Sequence, residues 1–163
     1  TVGFIGLYGH DHPQSLLCRG NLAMLVHSQG NTDEAETMLK DVLAAYTRLL
    51  GDSHPKTLHT ISNLATVMKG QYRLDAAAPL YCQVYESRLA VLGERHPDTL
   101  TSLSNVAAVL QDLGRNDEAE PLLRKVVDAQ RELLGKRHPD TLVTMSNLGL
   151  AMHTVGNLEG AVE

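Results

Sequence analysis

A chain of 163 residues, 43% hydrophobic and 20% charged, is sized for one domain or for a stretch of a repeat array, and is too apolar to stay disordered. Five Tyr, one Phe and no Trp leave little from which to build a stacking platform for bases or sugars. With 14 Lys+Arg against 19 Asp+Glu the net charge of −5 repels a phosphate backbone, which argues against nucleic acid as a partner.

No apolar run approaches a membrane span. Cys18 and Cys82 form no spaced framework, which points to a reducing, cytoplasmic compartment. Thr1 to Tyr8 lacks both an initiator Met and the basic flank of a signal peptide, so the chain reads as a piece of something longer.

Internal repetition organises everything else. His-Pro occurs at His12-Pro13, His54-Pro55, His96-Pro97 and His138-Pro139, at a constant spacing of 42. Gly9, Gly51, Gly93 and Gly135 open the units. Leu16, Leu58, Leu100 and Leu142 share one register, Asn21, Asn63, Asn105 and Asn147 another, and Ala35, Ala77, Ala119 and Ala161 a third. In chain order the units are a remnant of a preceding helix at 1–8, weakened by Gly3 and Gly6, then 9–50, 51–92, 93–134 and a partial fourth at 135–163. No polar capping helix is present, so end-to-end packing through the terminal repeats is expected.

Each unit reads as two helices. Proline suits the first helical position, where its missing N–H has no partner to lose. In the second unit Leu58, Ile61, Leu64, Ala65 and Met68 then fall on one face. Gly30, Gly114 and Gly156 end three of these first helices in a position that favours left-handed backbone; the second unit has Tyr72 there and Gly70 two residues earlier, which predicts a differently shaped turn. Second helices start at acidic clusters such as Asp33-Glu34 and Asp117-Glu118. Their buried stripe in the third unit is Ala119, Leu122, Leu123, Val126, Val127 and Leu133-Leu134. Each helix is about 17 residues, roughly 25 Å long. One such pair cannot bury its apolar faces alone, so neighbours must stack, and the small column Ala23, Ala65, Ala107 and Gly149 suits close helix packing.

Period and pattern together resemble tetratricopeptide repeats, in the long form found in kinesin light chain and nephrocystin-type families. The residues behind the resemblance are L-G-x-x-H-P-D-T-L at 92–100 and 134–142, N-L-A at 63–65 and D-E-A-E-P-L-L at 117–123. The resemblance implies an all-α fold, a right-handed α-α superhelix, whose inner wall is lined by first helices.

Catalytic and metal chemistry find little support. The four His-Pro histidines lie one unit apart, and stacked helices sit around 8–10 Å from one another, whereas zinc ligands must converge to about 2.0–2.3 Å from one point. They are expected to hydrogen-bond in the turn before Pro. His10, His12, His54 and His59 lack acidic or cysteine partners at ligand spacing. No nucleophile elbow, phosphate loop or Cys-His pairing occurs, and Cys18 and Cys82 read as small apolar side chains. The chain is expected to be no enzyme and to need no cofactor or metal.

The face of each first helix turned away from its partner is the candidate binding surface. It comprises Leu17, Gly20, Asn21, Met24, His27 and Ser28; His59, Ser62, Asn63, Thr66, Lys69 and Gly70; Thr101, Ser104, Asn105, Ala108, Gln111 and Asp112; and Val143, Ser146, Asn147, Leu150, His153 and Thr154. The recurring Asn has two readings: it bonds the adjoining unit, or it offers one donor and one acceptor per rung to an extended peptide. Kinesin light chains place a second Asn before the ladder Asn, where this chain has Gly20, Ser62, Ser104 and Ser146. Chaperone-binding tetratricopeptide domains clamp a terminal carboxylate with Lys and Asn four residues apart; Gly20/Met24, Ser62/Thr66, Ser104/Ala108 and Ser146/Leu150 do not match, so the tails of Hsp70 and Hsp90 would need another clamp. The expectation is a scaffold that binds a protein or peptide of neutral or mixed charge. The alternatives are a purely architectural segment and an auxiliary module of an ATPase or signalling protein.

Overall fold

The first helices of all four units begin in one way. His12, His54, His96 and His138 stand in extended backbone, and each Nδ1 accepts a hydrogen bond from the N–H of the residue after proline: Gln14 at 3.2 Å, Lys56 at 3.1 Å, Asp98 at 3.1 Å and Asp140 at 3.3 Å. Histidine thus takes the part usually given to Ser or Asp, satisfying one N–H at the helix start while proline removes another. The expected hydrogen bond in the His-Pro turn is a helix cap.

The computed structural model describes residues 12–156 and is all-α: α1 (Pro13–Ser28), α2 (Thr32–Leu50), α3 (Pro55–Gly70), α4 (Leu74–Leu92), α5 (Pro97–Asp112), α6 (Asn116–Leu133) and α7 (Pro139–Val155). The remnant at 1–8, Gly9, His10 and the start of the fourth unit's second helix with Ala161 lie outside the described residues. The chain divides within α4 into two units, one ending at Leu80 and one beginning at Tyr81. In the first, α2 packs on both α1 and α3, and α1 approaches α3; in the second, α6 packs likewise on α5 and α7.

Second helices carry acid in the first turn, Asp33-Glu34 in α2 and Asp117-Glu118 in α6, against the positive end of the helix dipole. Their N-caps Asn31 and Arg115 make no side-chain cap bond, so these acids are the main polar start signal.

The turn between first and second helix is a Schellman motif in all three described hairpins. After α1, Gly30 N–H donates to His27 O (2.9 Å) and Asn31 N–H to Val26 O (3.2 Å); after α5, Gly114 donates to Gln111 O and Arg115 to Leu110 O, both at 2.9 Å. After α3 the same pair recurs, Tyr72 to Lys69 O (2.9 Å) and Arg73 to Met68 O (3.0 Å). This corrects the expectation of a differently shaped turn. Tyr72 takes the left-handed conformation itself, with φ of 59°, as Gly30 (89°) and Gly114 (75°) do. Gly70 is an ordinary helical residue and serves packing instead. A Cβ there would stand 2.8 Å from Cε1 of His27, so its bareness lets α1 lean on α3.

Two small columns let the helices pack. Ala23, Ala65 and Ala107, and Ala35, Ala77 and Ala119, are fully buried. Around them Leu16, Val42, Ala45 and Tyr46 cluster in the first unit, with the Tyr46 hydroxyl donating to Pro13 O at 3.2 Å. Ala107, Ala119, Leu123 and Ala151, and Leu100, Leu103 and Val126, cluster in the second. Of the stripe read in the third unit, Ala119, Leu123, Val126 and Val127 are buried and Leu122 is half-buried, but Leu133 and Leu134 are 48% and 42% exposed. The second helices α2 and α6 run 19 and 18 residues against 16 for α1, α3 and α5, so the last turn extends past its partner.

One polar cluster locks the first two hairpins together. Glu36, buried on α2, pairs with Lys40 (2.8 Å) and with Arg73 (2.7 Å) from the turn after α3; Gln71 donates to Asp33 at 3.0 Å. The hydrogen bond from Lys40, with Arg73 beside it, holds the Glu36 carboxyl below the usual carboxylate range despite burial.

Three outcomes are expected. Tyr72→Gly relieves left-handed backbone at a side chain that is 89% exposed and so loses no packing, and should raise stability by about 0.5–1 kcal/mol in urea unfolding. His54→Ala removes a cap and should cost about 1 kcal/mol, most of it regained by His54→Ser. Because the folded Glu36 pKa is depressed, its contribution is complete above the unfolded value of about 4.3 and disappears as pH falls through the folded value. The stability gap between wild type and Glu36→Gln, about 1–3 kcal/mol near neutrality, should therefore close in urea titrations taken from about pH 6 to about pH 3.

Candidate functional site

With one face of each first helix committed to the second helices, the opposite face is left to the wall. In the first unit α1 contributes Asn21, exposed, and Met24, half-buried; α3 contributes His59, exposed, and Ser62, Asn63, Thr66 and Lys69, all half-buried. In the second unit α5 contributes Thr101 and Asp112, exposed, with Ser104, Asn105 and Gln111 half-buried, and α7 contributes Asn147, half-buried, with Ser146 and His153 exposed. Threonine hydroxyls on this wall bond back into their own helix, Thr66 to Ser62 O at 3.0 Å and Thr101 to Pro97 O at 2.9 Å.

The Asn side chains make no bond to the adjoining hairpin of their unit among the described residues. Asn63 Nδ2 lies 3.3 Å from Nε2 of His59, one turn earlier; an amide nitrogen only donates, so the ring nitrogen accepts. The tie between first helices in the second unit comes instead from Gln111, whose Nε2 donates to the backbone carbonyl of Asn147 at 3.1 Å. Gln111 thus joins α5 to α7, while Asn21 is exposed and Asn63, Asn105 and Asn147 are half-buried.

Asn21, His59 and Asn63 meet at a cavity of about 180 Å³ between α1 and α3. Leu16, Leu17, Val42, Tyr46 and Pro55 give it an apolar lining, and Gly20, Lys56 and Thr60 complete it. Lys56 escaped the sequence reading. Its position three residues before His59 and seven before Asn63 puts it on the same helical face, and that spacing was the available signal. The charged residues of α1 and α3 are Arg19, Lys56 and Lys69, and those of α5 and α7 are Asp98, Asp112 and Asp140; Arg19 is directed to α2, where it pairs with Asp41 at 3.3 Å.

Burial pushes the Cys82 thiol upward, away from the thiolate that nucleophilic chemistry requires. Among the described residues no three His, Cys, Asp or Glu side chains gather as a metal would require, and no helix is long and apolar enough to cross a membrane.

A family model described as tetratricopeptide repeat matches residues 4–48, 20–90 and 98–163. The chain belongs to the tetratricopeptide repeat family. Among solved structures, the kinesin light chain-type protein of Podosopora anserina, with nearly identical TPR-like repeats, is 30% identical, with a TM-score of 0.86 over 93% of this chain and 72% of that one. A single-substitution variant of that protein is 29% identical at the same TM-score, over 93% and 71%. BtubC (BKLC) from P. vanneervenii shares the fold at 21% identity and a TM-score of 0.82, over 90% of this chain and 59% of that one. Comparison with curated proteins finds no significant match. This tetratricopeptide array is of the kinesin light chain type, a non-catalytic class of fold that serves as a protein-interaction scaffold.

Proposed function

We propose that the exposed face of the first helices holds an extended peptide segment, with Asn21, Asn63, Asn105 and Asn147 bonding its backbone. The supporting observation is that these amides make no side-chain bond across to the neighbouring first helix of their unit among the described residues. Buried or half-buried amides that stitched hairpins together would be engaged across the hairpin, and within each unit none is. An amide that is both donor and acceptor matches the alternating N–H and C=O of a strand irrespective of its side chains.

Apolar residues supply the remaining contact area. Leu17, Val143 and Leu150 are exposed on this wall, and Met24 is half-buried. Many modest contacts of this kind give useful affinity while each contributes little. The small, mainly uncharged residues of this face fit a ligand of neutral or mixed charge better than a polyacidic one.

Asn63→Ala combined with Asn105→Ala should weaken a peptide selected on the wild-type chain at least tenfold by fluorescence anisotropy, with the thermal melt unchanged within about 2 °C. Loss of stability with retained binding would return these residues to a packing role.

A further inference from the structure

We infer that Met145 is an oxidation site, taking one oxygen atom from a peroxide, and that Arg131 on the facing helix holds the resulting sulfoxide. The inference concerns α6 and α7 alone and is independent of peptide binding. Both side chains are half-buried, and Arg131 Nη2 lies 3.9 Å from Sδ of Met145. Arg131 Nε is buried without an acceptor, and the residue makes no ion pair among the described residues. Nε and Nη2 form one edge of the guanidinium fork, so the orphaned donor and the donor facing sulfur point to the same side. A thioether is a weak acceptor, and a buried N–H left without a partner is costly. This edge of Arg131 is an unfinished hydrogen-bond site.

Neither partner is demanded by the repeat. In the register of Met145 the second and third units have Ile61 and Leu103, both buried, so packing there is satisfied by an aliphatic side chain. In the register of Arg131 the first and second units have Thr47 and Leu89. A second pair supplies the contrast. Met152 Sδ also lies 3.9 Å from an arginine, Arg124, but that Nη2 already donates to Glu120 at 2.7 Å, and Met152 is 1% exposed. Its sulfur is closed to a dissolved oxidant and its arginine does not lack an acceptor.

At Met145 a sulfur lone pair attacks one oxygen of hydrogen peroxide, and an S–O bond forms as the O–O bond breaks. The departing hydroxide takes the proton left on the transferred oxygen and leaves as water. Sulfur gives up two electrons and the peroxide accepts them. Oxidation of a packed methionine ordinarily disrupts its surroundings by making an apolar group polar. Here an S–O bond directed at Arg131 replaces a weak contact with a charge-assisted hydrogen bond that joins α6 to α7.

The test is graded hydrogen peroxide treatment of the 163-residue chain, followed by tandem mass spectrometry and thermal melting. The tryptic peptide beginning at His138 carries both Met145 and Met152, and Met145 should oxidise ahead of Met152 and of the buried Met68. Met145→Leu given the same dose reports what the other methionines contribute, so subtracting it isolates the shift due to Met145. With Arg131 present that shift should be upward by about 2–4 °C. In Arg131→Gln it should be downward, and Arg131→Lys, which keeps the charge without the fork, should fall between. A readout free of any variant's stability is the Arg131 Nε–H resonance of the labelled chain, which should move downfield and exchange more slowly once Met145 is oxidised. Met145 shifts that agree within about 2 °C with Arg131 and with Arg131→Gln would overturn the inference. So would oxidation of Met152 or Met68 ahead of Met145, or an Arg131 Nε–H signal unmoved by oxidation.

Discussion

Complete burial of Ala23, Ala65 and Ala107 is the constraint on which the molecule turns. A methyl side chain at that register lets one flank of each first helix press against its neighbours, and the larger residues around it, Leu16, Leu58, Leu64, Leu100 and Leu103, fill the remaining space. Because that flank is used up in packing, the opposite flank keeps only a few structural contacts, Gly70 against His27 and Gln111 on the Asn147 carbonyl. Its composition is therefore free to follow a ligand. Gly149, in the same column of the fourth unit, meets nothing within 4 Å of a built Cβ, which shows that small size there is not itself evidence of close contact.

Around this packing the chain repeats a small set of local devices. A His-Pro pair starts the first helix, a left-handed residue closes it, and acids start the second. The first two satisfy backbone groups at a helix end that would otherwise face only water, and the acids complement the positive end of the helix dipole. Their recurrence every 42 residues keeps neighbouring hairpins in one register, so side chains at equal offsets line up across the first helices of a unit. The Glu36–Arg73 pair adds a polar lock between the first two hairpins, and Gln111 to Asn147 has a similar effect in the second unit.

Most of this architecture was legible because it is periodic. A column such as Ala35, Ala77 and Ala119 repeats in sequence, so burial at one position predicts burial at the others. What escaped was particular to one repeat or depended on three dimensions. Tyr72 keeps the Schellman turn because its two backbone bonds outweigh the residue's reluctance to adopt positive φ. Leu133 and Leu134 look like stripe residues, but pattern alone does not tell where the facing helix stops. Glu36 and Arg73 are 37 residues apart and find each other only through stacking. Lys56 was within reach of helical spacing, and the cavity it lines was not.

The central claim is that ligands meet the first helices and leave the second helices untouched. Amide and side-chain NH2 resonances of the uniformly labelled chain, followed during titration with a peptide selected on it, test this most directly. The account predicts that the Asn63 and Asn105 side-chain signals move together with backbone signals of α1, α3, α5 and α7, while those of α2 and α6 stay in place. Shifts concentrated on α2 and α6, with the Asn side chains unmoved, would contradict it.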